Sequence, residues 1–239
     1  MNSAKLNLFQ IARENAEYLK EQLSTALSGC DNNAQATINV FTKWLLDKAI
    51  ISINLAPSIL AHFIQNGTYY NIYEWAREQE DLSGRSREEC LREKLGNFYD
   101  RRMSFDGAFQ DGEHFRYGAL DAVGQDFVTK FGMFCIVFDR KFLDRIELAY
   151  LSEDSLLSCI NAQGEVDLSK VYRIIAPHSH RHVLAAIKHF DMIPTTSDKD
   201  WAKLILNDNS YIEAIFTERF SKEDIHKIRV MKNNCVFRI

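Results

Sequence analysis

Ala49-Ile50-Ile51-Ser52-Ile53-Asn54-Leu55 marks the point at which the pattern of this sequence changes from helical to extended. The stretch is short, apolar and rich in β-branched residues, which is typical of a buried strand. Before it, apolar residues recur about every 3.6 positions over 4–28 and again over 35–47, which predicts two amphipathic helices. After it the chain becomes mostly β. Helices first and strands later favour an α+β fold over alternating βαβ units.

The rest of the chain divides into helices and a series of short strands. Proline suits the first turn of a helix and glycine often ends one, so a helix is expected from Pro57 up to Gly67. Further helices are expected over 70–79, 85–98 and 181–190. The segment 168–176 is ambiguous, and 221–224 predicts a short helical turn. Strands are expected over 115–122, 131–138, 146–151, 211–216, 228–231 and 235–239.

The composition excludes several classes of protein. The 239 residues are 46% hydrophobic and 26% charged, which is ordinary for a globular chain and excludes wholesale disorder. The net charge of −4 lacks the basic surplus of a protein whose main task is to hold nucleic acid, so no nucleic-acid partner is expected. No run approaches about 18 apolar residues, so no membrane span is expected.

The cysteines and the N-terminus bear on the compartment. Five cysteines are scattered without a C-x-x-C pair, and Cys135 and Cys159 lie in apolar runs, where free cysteine packs as a small hydrophobe. We therefore expect reduced thiols in a reducing cytosol rather than a disulfide framework. The first 22 residues have neither an apolar h-region nor a small-residue cleavage site, so no Sec signal peptide is expected.

Two predicted strands carry residues that are candidates for ligand binding. Arg116, Tyr117 and Gly118 stand together in Phe115–Asp121. Arginine offers paired donors to a phosphate or carboxylate, and glycine allows a ligand to approach the backbone closely. The alternative is a strand with an exposed arginine and a packed tyrosine. Glu213 lies in the apolar strand Tyr211–Phe216, where a carboxylate is paired, functional or on a solvated edge face.

A histidine-rich segment and the common catalytic motifs give weaker indications. His178, His180 and His182 are spaced closely enough to consider a metal site, but no acidic or cysteine ligand stands beside them, so a polar helix start is the preferred interpretation. The sequence has no Walker A loop, no G-x-G-x-x-G after a strand, no G-x-S-x-G elbow and no H-E-x-x-H.

Read in order, several blocks resemble a bacterial family known as domain of unknown function 3626, which includes effector mono-ADP-ribosyltransferases acting on ubiquitin threonine. Ile51–Pro57 is similar to the family's first strand, I-T-L-N-F-H-P, and Tyr211–Ala214 to its Y-I-E-A-Q strand. The other blocks are Leu91–Asp100, Phe115–Asp121, Phe131–Cys135, Leu143–Arg145 and Ser152–Ser155. The resemblance spans about 50–215. It implies an ADP-ribosyltransferase-like split β-sheet core with an N-terminal helical region, divided as 1–48 and 49–239.

The resemblance also implies roles for individual residues. Glu213 would be the catalytic residue, which binds the ribose hydroxyls of NAD and stabilises positive charge on the ribose. Arg116 would pair with the pyrophosphate, Tyr117 would stack on nicotinamide, and Gly118 would leave room for it. The remaining NAD-binding residues would be Asn54 and Ser83. No metal is implied, and Asp121 or Glu218 could assist the threonine, although each is also explained as a surface charge.

The resemblance implies that the protein transfers ADP-ribose from NAD to a threonine of host ubiquitin. NAD would be a substrate of this reaction, and the modification would block ubiquitination. The protein would be a monomeric effector delivered into the host cytoplasm by a non-Sec route such as type III secretion. The chain departs from the family at Ala56, where histidine is usual, at Ile215, where glutamine is usual, and in the unmatched helices of 1–48. The alternative is a catalytically inactive module of the same fold that only binds a host protein.

Overall fold

The computed structural model describes residues 5–122 and 131–230, together with the backbone at 236–237. The first 48 residues contain α1 (Leu8–Glu14), α2 (Ala16–Ser28) and α3 (Asn32–Lys48). The single helix expected over 4–28 is therefore wrong in one respect, because the chain breaks at Asn15. That side chain is buried and its Nδ2 donates to the carbonyl of Ile175 at 2.7 Å, which fixes the junction of the two helices.

Four helices lie between the first two strands. These are α4 (Pro57–Asn66), α5 (Ile72–Ser83), α6 (Arg87–Leu95) and α7 (Tyr99–Ala108). The first three confirm the expected helices, and Gly67 ends α4 in the left-handed conformation, with φ of 70°. α7 was not expected from the sequence. The later helices are α8 (Arg140–Leu143), α9 (Ser155–Ser158), α10 (Leu168–Ile174), α11 (Arg181–Lys188) and α12 (Trp201–Ile205).

Among the described residues, eight strands form one sheet in which every neighbouring pair is antiparallel. The strands are β1 (Ala49–Leu55), β2 (Arg116–Ala122), β3 (Phe134–Phe138), β4 (Ala149–Leu151), β5 (Ile175–Pro177), β6 (Glu213–Phe216), β7 (Ile225–Val230) and β8 (Val236–Phe237). Their order is β5-β4-β6-β2-β1-β3-β7-β8. The mixed helix and sheet content confirms the α+β class. Pairing runs from β5 to β8 without a break.

The two faces of the sheet carry different side chains, because successive residues of a strand point to opposite sides. On one face, Ile51, Leu120 and Ala214 belong to the larger apolar core, which α2, α3, α11 and α12 cover. Phe41 and Leu45 of α3 are fully buried there, so the helices before β1 belong to the same core as the sheet.

On the opposite face, a row of neighbouring positions runs through Ser52, Ala119, Glu213 and Leu151 on β1, β2, β6 and β4. α1, α7, α9 and α10 cover the β4–β5 end of this face with a second apolar core. Over β1 and β2 the same face borders a cavity instead. Among the described residues, no helix is long and apolar enough to cross a membrane.

The described cysteines confirm the expectation of free thiols, since Cys30, Cys90, Cys135 and Cys159 form no disulfide. Cys135 and Cys159 are fully buried, as the apolar runs around them predict. Cys235 lies outside the described residues. The segment of the three histidines forms a short 3-10 turn that leads into α11, which fits a polar helix start.

Candidate active site

A cavity of about 550 Å³ lies on the Glu213 face of the sheet, where β6, β2 and β1 are adjacent. Its size is within the range of small-molecule binding sites. Four residues selected from the sequence line it, namely Asn54, Tyr117, Gly118 and Glu213. Arg102 of α7 and Asp154, which caps α9, complete its charged lining.

Glu213 is the first residue of β6 and is 5% exposed. Its neighbours across the sheet are Ala119 on β2 and Leu151 on β4. The backbone N–H of Ser155 donates to its carboxylate at 3.0 Å. Burial nevertheless dominates, and it raises the pKa of the Glu213 carboxyl from 4.5 to about 7. The solvated edge face considered from the sequence is therefore wrong, and the group changes charge near neutral pH.

Arg102 supplies a positive charge to this cavity. Its guanidinium lies 3.7 Å from the centre of the Tyr117 ring, and its Nη1 lies 3.5 Å from the carboxylate of Asp106. The side chain is 12% exposed, and within the described residues Nη1 is buried without a hydrogen-bond acceptor. The charge of Arg102 also opposes the rise in the pKa of Glu213. Arg102 therefore places a positive charge in the cavity wall, next to Asp106, and gives electrostatic support to an ionised Glu213.

Tyr117 is held on both its ring and its hydroxyl. The hydroxyl donates to the buried carboxylate of Asp106, which also accepts from the hydroxyl of Tyr73 at 2.8 Å. One face of the ring packs against the guanidinium of Arg102. Tyr117 therefore reaches the cavity as expected, but Arg102 occupies one of the two faces that could stack on a ligand.

Arg116 lies outside the cavity lining. Alternation along β2 directs it to the face opposite Tyr117, where its Nη2 donates to Glu74 at 2.6 Å and its Nη1 donates to backbone carbonyls of His114 and Thr217. Its side chain is 1% exposed, so the exposed arginine considered from the sequence is wrong. The structure places this guanidinium in a buried ion pair and does not bring it together with Glu213.

Ser83 also lies apart from the other candidates. It is the last residue of α5, it is exposed, and its hydroxyl donates to the carbonyl of Gln79 at 2.7 Å. It does not line the cavity, so the structure does not bring it together with Glu213. Asn54 does line it, on β1, with its Nδ2 donating to the carbonyl of Gly132 at 3.4 Å.

Gly118 is required by packing against the neighbouring strand. A Cβ at this position would lie 2.9 Å from the carbonyl oxygen of Ser52 and 2.9 Å from Cγ2 of Ile51. The missing side chain therefore points towards β1 and the larger core, and the glycine backbone is what borders the cavity. Residues of β1 therefore fill the space that the missing side chain leaves, and no ligand group does.

Two features of the site were missed from the sequence. Arg102 and Asp106 lie on the unexpected helix α7. Asp154 caps α9 and accepts from the hydroxyl of Tyr211 at 2.6 Å, which ties α9 to the segment before β6. Asp121, considered as a surface charge, is 1% exposed and pairs with Arg229 at 2.5 Å on the same face of the sheet. The spacing of Arg102 and Asp106, four residues apart, was the available signal.

Comparison with known proteins assigns no family and no function to the chain, because no model of a known protein family and no curated protein matches its sequence. The chemistry must therefore be argued from the cavity. Among the described lining residues, the carboxylates of Asp154 and Glu213 face a single cation, Arg102. With aromatic side chains at Phe98, Phe131 and Tyr211, this lining favours a flat ligand group that carries positive charge.

Proposed function

We propose that the chain is an NAD-dependent mono-ADP-ribosyltransferase of ADP-ribosyltransferase-like fold. The observation that carries the proposal is a buried glutamate, with a pKa of about 7, in a cavity that also holds Asn54 and Tyr117. The nicotinamide of NAD is a flat ring with a positive charge, which matches the aromatic and acidic lining. The order β6-β2-β1 makes the strands of Glu213, Tyr117 and Asn54 successive neighbours in the sheet, which supports a joint role in one site.

The proposed reaction needs charge stabilisation more than proton transfer. The bond between nicotinamide and C1′ of the ribose breaks, and nicotinamide leaves with the electron pair. The oxygen of the acceptor hydroxyl forms a bond to C1′ and releases its proton to water. Positive charge develops on the ribose during this step, and an ionised Glu213 that also accepts hydrogen bonds from the ribose hydroxyls stabilises it.

The proposed acceptor is a threonine of ubiquitin, and the proposed setting is the cytoplasm of a host cell that receives the protein as an effector. Both rest on the resemblance of the blocks over 50–215. The exposed side chains of Phe98, Phe131 and Leu157 border the cavity, and such apolar groups suit contact with a protein acceptor. The aromatic residues Tyr69, Tyr70 and Trp75 are half-buried and also suit such a contact.

The test is incubation of the purified chain with NAD and ubiquitin, followed by intact mass spectrometry. We expect ubiquitin to gain the mass of one ADP-ribose unit, with fragmentation placing it on a threonine. Glu213→Gln should lower kcat/KM roughly 100-fold to 1,000-fold, because it removes the charge and keeps the shape. The matched control is Glu21→Gln, an exposed glutamate on α2. Equal activity of Glu213→Gln and the unmodified chain would refute the assignment of the site.

A second candidate function is the inactive module that only binds a host protein. It is favoured by one observation, the internal ion pair of Arg116, which leaves the expected pyrophosphate ligand outside the cavity. Calorimetry with NAD separates the two functions. Binding of NAD favours the transferase, whereas binding of ubiquitin without binding of NAD favours the module.

A further inference from the structure

A second cavity, of about 300 Å³, lies between α4, the segment that follows it, α5 and α6. Three aromatic side chains line it, those of Tyr69, Tyr70 and Trp75. It also contains Lys94, whose Nζ lies 5.0 Å from the centre of the Trp75 ring. Aromatic walls and a nearby ammonium group form a site that can hold a flat ring and an anion side by side.

The two cavities share one wall. Tyr69 lines both of them. Its ring stacks on Phe220 with centres 4.8 Å apart, and its backbone N–H donates to the carbonyl of Phe220 at 3.1 Å. The side chain between the cavities is therefore fixed by the protein, and the two cavities lie on either side of one residue.

The charges of the two cavities are opposite in character. The main cavity carries the carboxylates of Asp154 and Glu213 against Arg102. The described lining of the second cavity holds no carboxylate, and its His62 pairs with Glu78 at 2.5 Å. Lys94 makes no ion pair with any described residue. An elongated ligand with a positive ring at one end and phosphate towards the other would match both cavities.

We propose that the second cavity binds a nucleoside monophosphate, with the base against Tyr70 and Trp75 and the phosphate near Lys94. This inference rests on the proposed function in one respect, since the monophosphate would be the adenylate half of the dinucleotide whose nicotinamide half lies beside Glu213. In this arrangement Lys94 of α6 pairs with the phosphate, and Arg116 is not needed for that contact.

The test uses adenosine monophosphate as the probe and the fluorescence of the full chain as the readout. Trp44 and Trp201 contact each other at 5.4 Å at a different place in the fold, so quenching by the nucleotide would report on Trp75. We expect saturable quenching that is lost in Trp75→Phe. Lys94→Met should weaken binding about tenfold, the loss of one charge-assisted contact. Lys94 is exposed, and the matched control is Lys43→Met, at an exposed position on α3.

Each outcome decides between this inference and the proposed function. If adenosine monophosphate binds with the expected sensitivity to Lys94 but no ADP-ribose is transferred, the inference stands and the proposed function fails. If transfer occurs but Lys94→Met changes neither the Kd for adenosine monophosphate nor the KM for NAD, the inference is overturned and the function stands. Loss of ubiquitin binding in Lys94→Met, with nucleotide binding unchanged, would assign the cavity to the acceptor protein and would also overturn the inference.

Discussion

The guanidinium of Arg102 lies 3.7 Å from the ring centre of Tyr117, and this contact joins α7 to the middle of the sheet. Asp106, which lies on the same helix as Arg102, accepts a hydrogen bond from the hydroxyl of Tyr117. The side chains of Arg102 and Tyr117 are therefore held together at the cavity wall. The contact places a permanent positive charge in the same cavity as Glu213. The state of Glu213 therefore depends on a residue of another element.

Arg102→Met should raise the pKa of Glu213, because the positive charge of Arg102 now opposes the effect of burial. We expect the pKa to lie above its value in the unmodified chain. Titration of the Glu213 carboxyl by carbon-13 NMR measures this directly and does not depend on any assumed activity. Arg102→Lys, which keeps the charge, is the control and should leave the pKa closer to 7. An unchanged pKa in Arg102→Met would contradict the electrostatic link.

Transferase activity should rise with pH through the pKa of Glu213. The neutral carboxyl cannot stabilise positive charge on the ribose, and the ionised form predominates only above about pH 7. The measurement is kcat/KM for NAD between about pH 5.5 and 8.5, where the profile should rise and then level off. A flat profile over this range would show that the charge of Glu213 is not used.

Glu213→Gln should stabilise the fold at alkaline pH. A carboxyl whose pKa is raised on folding lowers the free energy of unfolding of the protein as the pH rises. For Glu213 this loss occurs as the pH rises from the ordinary pKa of 4.5 through about 7. The loss amounts to about 3 kcal/mol at pH 8, and the amide does not ionise. Denaturant unfolding at pH 8 should therefore favour the variant, and the difference should disappear near pH 4.5. Equal stability at pH 8 would mean that Glu213 is better solvated than its 5% exposure indicates.

The sequence predicted the strands that border the cavity, β1, β2 and β6, better than the helix α7 that also lines it. β1, β2 and β6 follow from β-branched and alternating residues, and alternation alone puts Tyr117 and Glu213 on faces that the sheet then aligns. The same rule separates Arg116 from Tyr117, so both could not have reached one cavity. The face on which each of these strand residues lies depends on local alternation, which can be read from the sequence.

The wall from α7 could not be predicted in the same way. Tyr99–Ala108 contains Gly107 and several charged residues, and its apolar periodicity is weak, so only packing against Phe115 and Tyr117 makes it a defined helix in this place. The break at Asn15 has the same origin, since its partner Ile175 is 160 residues away in the chain. Long-range contacts of this kind leave no local signal.

Gly118→Ala should destabilise the fold without changing the cavity directly. The added methyl would meet the Ser52 carbonyl and Ile51 at 2.9 Å, so β1 and β2 must shift apart at a cost of about 1–3 kcal/mol. Chemical denaturation measures the loss. Gly107→Ala is the control, because nothing lies within 4 Å of a Cβ there. A stability as high as that of the control variant would show that the two strands accommodate the methyl group.

Arg116→Met tests whether this arginine has a structural role or binds phosphate. Removing the guanidinium should cost about 1–3 kcal/mol, because the carboxylate of Glu74 loses a partner at 2.6 Å but keeps Arg219 at 2.7 Å. Replacing both residues, as in Arg116→Met with Glu74→Gln, should recover part of that loss, because no charge then remains buried at this place, since the side chain of Arg219 is exposed. Calorimetry on the folded double variant should give the Kd for NAD of the unmodified chain. A Kd weakened tenfold or more would return Arg116 to the pyrophosphate and would contradict the placement of its side chain on the far face of β2.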